Sequence, residues 1–140
     1  MEYDLSRFLK AQEESYGRAL REIRRGRKTG HWMWYIFPQL RGLGMSRTSW
    51  YYGISGLEEA RAFLSHPVLG NHLLEISGAL LDLSSDDAGE VFGFPDDRKL
   101  RSSMTLFACA DPDQPVFPAV LEKFFGGSPD ERTLELLKDG

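Results

Sequence analysis

A mainly α, single compact domain of about six helices, interrupted by one long aromatic-rich irregular segment, is what this sequence predicts, on three observations. Apolar residues recur at three- and four-residue spacing over most of the 140 positions, a length that suits one domain. Ser, Asp and Pro open these stretches and Gly closes them, as helix caps and stops do. Residues 31–54 alone lack a helical stripe.

Residues 4–25 predict the first helix. Leu5, Phe8, Leu9, Gln12, Tyr16, Ala19, Leu20 and Ile23 form one buried stripe, Asp4 is the N-cap, and Gly26 and Gly30 are stop signals. Its arginine-rich last turn either complements the helix dipole or meets a ligand. Residues 32–37 are an apolar run ended by Pro38, which fits a buried strand or one buried helical turn. The GLG at 42–44 permits a tight turn with positive φ. SRTSWYYGIS then mixes hydroxyls with aromatics, so the segment packs against the rest rather than forming a solvated loop.

Helical signals resume at Ser55, which with Glu58 fits a capping box ahead of Leu57, Ala60, Phe63 and Leu64. Pro67 suits the first position of another helix, striped by Leu69, Leu73, Ile76 and Leu80. Ser85, Asp86 and Asp87 open a short turn of helix to Phe92. Pro95-Asp96-Asp97 starts a helix with Leu100, Met104 and Phe107 on one face. Residues 118–125 form a short apolar helix stopped by Gly126-Gly127. Ser128-Pro129-Asp130-Glu131 reads as cap, first-position Pro and third-position Glu of the last helix.

The net charge of −4 conceals a segregation. Residues 23–57 carry six basic side chains (Arg24, Arg25, Arg27, Lys28, Arg41, Arg47) and no acid, whereas residues 58–140 carry seven basic and sixteen acidic ones. A local positive potential in an acidic molecule suits a small anionic ligand, while the acidic remainder disfavours a long nucleic acid. No apolar run approaches the roughly 18–20 residues that span a bilayer, so no membrane role is expected. The charged N-terminus lacks a signal-peptide core and Cys109 is the single cysteine, which points to the cytoplasm and excludes an internal disulfide framework or a cysteine-rich zinc site.

No strong motif for phosphate, zinc or dinucleotide binding is present, and no cofactor or metal is expected. GLG at 42–44 lacks the rest of a dinucleotide fingerprint. His66 and His72 are six apart and separated by Pro67, which is no metal pattern, and His66 reads as a helix-start residue. His31, at the edge of the aromatic run, is a candidate proton carrier. Alternation along an extended run would send Trp32 and Trp34 to one face and Met33 and Tyr35 to the other. One face would be core and the other a cleft, where rings beside arginine suit a planar base and its phosphates.

The second cluster, FGFPDDRKLRSSMTLFA at 92–108, sets Asp96 and Asp97 at a helix start, where they cap the helix or position a hydroxyl or water. Its Ser-Ser-x-Thr run is a poor helix former, which suggests polar contacts. The predicted site is therefore a cleft between residues 31–52 and the 96–105 helix start. Its catalytic candidates are His31, Asp96 and Asp97. Its ligand-binding candidates are Trp32, Trp34, Gln39, Arg41, Arg47, Ser49 and Tyr52, with Lys99, Arg101, Ser102 and Ser103 from the second cluster.

HWMWYIFPQ, SHPVLG and DDRKLRSSMTLF, with the flanking RFLKAQEESYGRALREIRRGRKTG and FFGGSPDERTLELL, resemble the bacterial domain-of-unknown-function family 1810 over nearly the whole chain. The resemblance implies a mainly helical single domain and no established activity. Some members of that family carry the label calpastatin, which fits this chain poorly because that inhibitor is disordered and this sequence reads as packed. RFLKAQ followed by a Trp-containing segment is also similar to the NADAR proteins, small helical domains linked to NAD and ADP-ribose derivatives. Where that pattern has a Glu-His pair, this chain has Ser6-Arg7, so no catalytic acid carries over.

Two functions compete. One is an enzyme acting on, and hydrolysing, a nucleotide-like or ADP-ribose-like anion, with His31 and Asp96 or Asp97 as acid and base. The other is a non-catalytic small-ligand or protein-interaction module using the same residues. An enzyme needs a group poised near working pH, whereas a module needs only complementarity. Oligomeric state is not legible in the sequence.

Overall fold

Four phenylalanine rings in series cross the core: Phe8 meets Phe63 edge-on at 5.1 Å, Phe63 meets Phe107 at 5.5 Å, and Phe107 meets Phe117 at 5.8 Å between centroids. All four are fully buried. They come from four helices of a computed structural model that describes residues 3–139. In order, its helices are α1 (Ser6–Arg24), α2 (Met33–Ile36), α3 (Arg47–Tyr51), α4 (Leu57–Ser65) and α5 (Pro67–Leu81), then α6 (Ala88–Phe92), α7 (Asp96–Ala110), α8 (Val116–Phe125) and α9 (Glu131–Asp139). The chain is thus mainly α, and no strand occurs among the described residues. Helix α7 packs on α4, α6, α8 and α9, and α5 packs on α1, α4 and α8.

The predicted stripes are buried where the spacing places them: Phe8, Tyr16, Ala19 and Ile23 on α1, Leu69, Leu73, Ile76 and Leu80 on α5, and Leu100, Met104 and Phe107 on α7. Several caps follow the signals as well. The His66 ring accepts from the N–H groups of Val68 and Leu69 ahead of Pro67, and Asp87 accepts from those of Gly89 and Glu90. Gly26 and Gly126 take positive φ values of 83° and 61° where α1 and α8 end, the left-handed region glycine enters without strain.

Several termini differ from expectation, and α8 starts at Val116, two residues before the expected 118. α1 starts at Ser6 with Leu5 in the cap position, and Asp4 Oδ1 accepts from Ser6 N–H at 2.9 Å. The Ser55/Glu58 box does not form. Glu59 is drawn inward by Arg7 at 3.2 Å and accepts from Ser55 N–H at 2.8 Å, while Glu58 accepts from the Tyr3 hydroxyl. At α9 the cap is Asp130, whose Oδ2 accepts from Thr133 N–H at 3.0 Å, because Ser128 is occupied by Arg101.

The segment 31–54 settles the choice between strand and helical turn. Ile36 N–H donates to Trp32 O at 3.2 Å and Phe37 N–H to Met33 O at 3.1 Å, so the run is one helical turn. Alternation of faces therefore fails. Trp32, Met33, Ile36 and Phe37 turn inward together, and Trp34 and Tyr35 stay half-buried on the other side. Two hydrogen bonds flanking the Leu40–Ile54 bridge then tie the segment's ends, and Gly42 turns the chain at φ 106°.

A buried acid explains why Trp32 points inward. Glu22, 1% exposed, accepts from the N–H groups of Thr29 and Gly30 at 2.8 Å each, from the Trp32 indole at 2.9 Å and from Arg18 at 2.8 Å. Burial alone would raise its pKa. The Gly30 and Thr29 amides, with the indole, overcome that and hold it at about 2. Gly30 is needed for this approach, since a Cβ there would lie 2.8 Å from the indole ring.

Candidate functional site

Trp34 is where the two predicted segments meet. The α2 turn that buries Trp32 leaves Trp34 half-exposed, facing the start of α7, and Lys99 from α7 holds its ammonium 4.3 Å from the Trp34 ring centroid. A cleft of about 430 Å³ opens here. Trp34 and Gln39 line one side, residues 43–46 and Ser49 the rim, and Pro95, Arg98, Lys99 and Ser102 the α7 side, closed by Asp130 and Arg132 at the start of α9. A narrow recess runs from the same wall toward Tyr52.

The electrostatics of this cleft follow from which charges are spoken for. Asp96 Oδ2 sits 2.7 Å from Lys28 Nζ and its Oδ1 3.4 Å from Lys99 Nζ. Lys28 is buried, 7% exposed at its side chain, and also donates to Gly30 O. Asp96 thus neutralises a buried cation and steadies Lys99 against Trp34. Asp130 is engaged in capping α9 through Thr133. Arg98 stacks on the exposed Phe94 ring at 4.8 Å, and Arg132 is exposed. The lining thus carries three cations and one carboxylate, and that carboxylate already accepts hydrogen bonds. Such a wall favours an anion, and Trp34 supplies a flat apolar surface beside it.

Of the candidates read from the sequence, Trp34, Gln39, Ser49, Lys99 and Ser102 line the cleft and Tyr52 lines the recess. The hydroxyls are partly committed: Ser49 donates to Ser46 O and Ser102 to Arg98 O. The others lie elsewhere. Trp32 is core. Arg41 donates to Trp50 O at 3.0 Å, stacks on the Trp50 ring at 4.0 Å and lines a separate cleft of about 360 Å³ with Leu57, Leu136 and Leu137. Arg47 is exposed on α3 outside the cleft lining. Arg101 donates to Ser128 through Nε and Nη2. Ser103 is fully buried with its hydroxyl unpartnered.

The three catalytic candidates do not converge. His31 is exposed and outside the lining, Asp96 is paired with two lysines, and Asp97 accepts from Arg98 N–H at 2.9 Å. Nor do the six cations of the acid-free segment form one patch: Arg24, Arg25 and Arg27 are exposed near the end of α1, and Lys28 is buried. The sequence reading missed Arg98, Arg132 and Asp130, and of these Arg98 lay beside two residues it did select. Arg132 follows a cap signal and carried no sign of a ligand role. Among the described residues no group of three or more His, Cys, Asp or Glu side chains is placed to hold a metal ion, and no helix is long and apolar enough to cross a membrane.

A solved structure shares this fold. A family model described as "Protein of unknown function (DUF1810)" matches residues 2–137. Among solved structures, the crystal structure of the conserved hypothetical protein Rv1873 from Mycobacterium tuberculosis is similar at 51% sequence identity. The match covers 97% of each chain with a TM-score of 0.95. No curated protein matches.

Proposed function

We propose, from the premise that the chain belongs to the DUF1810 family of proteins of unknown function, that the Trp34 cleft binds a small anionic ligand of nucleotide-like or ADP-ribose-like chemistry. The observation that carries this reading is Lys99 stacked on Trp34, with Arg98 and Arg132 on the same walls. A planar base has a ring to stack on, and its phosphate has cations within one cleft. The reading is of binding rather than turnover, because the carboxylate on the cleft wall, Asp130, is occupied as a helix cap. The single cysteine accords with the cytoplasmic setting expected from composition.

Thermal denaturation with a panel of nucleotides and the matching nucleosides tests it. A nucleotide at a hundredfold excess over its dissociation constant should stabilise the fold by about 2.7 kcal/mol, and the uncharged nucleoside much less. Equal shifts for both, or none with any phosphate, overturn the reading.

A further inference from the structure

Helix α3 is five residues long and buries none of them, yet it carries Trp50, 62% exposed, and Tyr51, 53% exposed. So short a helix has little stability of its own. Local bonds hold it: Ser49 N–H donates to Ser46 Oγ at 3.0 Å at one end, and Gly53 N–H to Trp50 O at 3.2 Å at the other. Gly53 is buried where a Cβ would come within 2.9 Å of Arg41 and Ser49 backbone atoms, which fixes the exit of the helix. Arg41, stacked on Trp50, holds that ring in place. The fold therefore presents two large aromatic side chains to solvent in a defined arrangement. Trp, Tyr and Arg are the residues that dominate interface energetics. Trp50 and Tyr51 lie outside the lining of the Trp34 cleft, so they are not part of that site.

Beside Tyr51 runs an open groove of about 480 Å³ between α3 and α1, lined by Tyr51, Tyr52, Lys10, Glu13 and Glu14 among others. Among the described residues, Lys10, Glu13, Glu14 and Arg47 have no ion-pair partner. The region thus holds both halves of a fit: projecting rings and a groove, unpaired cations and unpaired acids. A two-fold interface sets one patch against itself, so it requires this self-complementarity, whereas a face for a purely acidic or basic partner would carry one sign. We infer that α3 and the adjoining face of α1 join two copies of this chain, the Trp50 and Tyr51 of each seated against the other's groove.

Sedimentation equilibrium of the full chain over a concentration series tests the inference. The expected result is a reversible dimer whose dissociation constant rises about 30-fold or more in Trp50→Ala or Tyr51→Ala. It should also rise in Glu13→Lys/Glu14→Lys and in Arg47→Glu, while Arg25→Glu at the end of α1 leaves it unchanged. All these side chains are exposed, and circular dichroism melts of each variant confirm that folding is retained. A monomer at every concentration, or a dimer that Trp50→Ala and Tyr51→Ala leave intact, overturns the inference.

Discussion

Lys99 holds its ammonium 4.3 Å from the centroid of the Trp34 ring, joining the start of α7 to the α2 turn across the mouth of a cleft. This contact is partly exposed, so its worth to folding is small, within about 1 kcal/mol. Its worth to an anion is larger, since it keeps a cation in place before the ligand arrives. Lys99→Met should therefore melt near the parent temperature and bind a nucleotide about tenfold or more weaker, the loss of one charge-assisted hydrogen bond. Titration calorimetry on a nucleotide that stabilises the parent protein checks this, and an unchanged affinity would remove Lys99 from the site.

Neighbouring aspartates should behave differently when neutralised. Asp96 compensates the buried Lys28 ammonium at 2.7 Å, so Asp96→Asn leaves that cation without a counter-charge, with Gly30 O and the face of the Trp32 ring beside it. Breaking a fully buried pair costs about 3–5 kcal/mol, and the partial exposure of Asp96 brings the expectation to about 2–4 kcal/mol. Asp97 accepts a local bond from Arg98 N–H, which an amide oxygen can also accept, so Asp97→Asn should stay within about 0.5 kcal/mol. Urea denaturation of the two variants compares them directly. Equal costs would contradict the assignment of Asp96 as the counter-ion of Lys28.

How much of this was legible in the sequence depended on the range of the interaction involved. Stripes such as Leu69–Leu73–Ile76–Leu80 and caps such as Asp87 and His66 are local, and the chain reads them at three- and four-residue spacing. The turn at residues 33–36 was ambiguous, because a short apolar run fits either period. Glu22 decided it, by accepting from the Trp32 indole ten residues away. The same applies at the cleft. Both segments were legible as polar and aromatic clusters, but which cations face the cleft depends on pairings 27 to 68 positions apart, Arg101 with Ser128 and Lys28 with Asp96. The acid-free segment looked like the positive wall, yet its arginines disperse, and the cations at Trp34 come from the acidic part of the chain.

Core truncations set the scale for these effects. Leu73 is 1% exposed on α5 and Phe107 is fully buried in the chain of rings on α7. Leu73→Ala should cost about 2–5 kcal/mol and Phe107→Ala about 3–5 kcal/mol through the cavities left behind. Nucleotide affinity measured well below the lowered melting temperature should be unchanged, since neither side chain lines the cleft. A selective loss of affinity in either variant would mean that the cleft extends into the core.

Glu22 supplies the pH dependence. Its carboxyl titrates at about 2 in the folded chain, against an ordinary 4.5, because the amides of Gly30 and Thr29 and the Trp32 indole favour the charged form over the opposing effect of burial. A folded-state pKa below the unfolded one means that the unfolded chain takes up the proton first. The contribution is therefore complete above about pH 4.5 and is lost as the pH falls toward 2. A fall of this size corresponds to roughly 3 kcal/mol. Glu22→Gln removes the titration and replaces one acceptor oxygen with an amide donor, which faces Trp32, Thr29 and Gly30 donors or loses the Arg18 contact. It should be destabilised at neutral pH, and the difference between variant and parent should shrink steadily between pH 4.5 and 2. Urea denaturation at several pH values across that window measures the difference, and a constant gap would show that the Glu22 carboxylate is not what holds the α1 end to the aromatic turn.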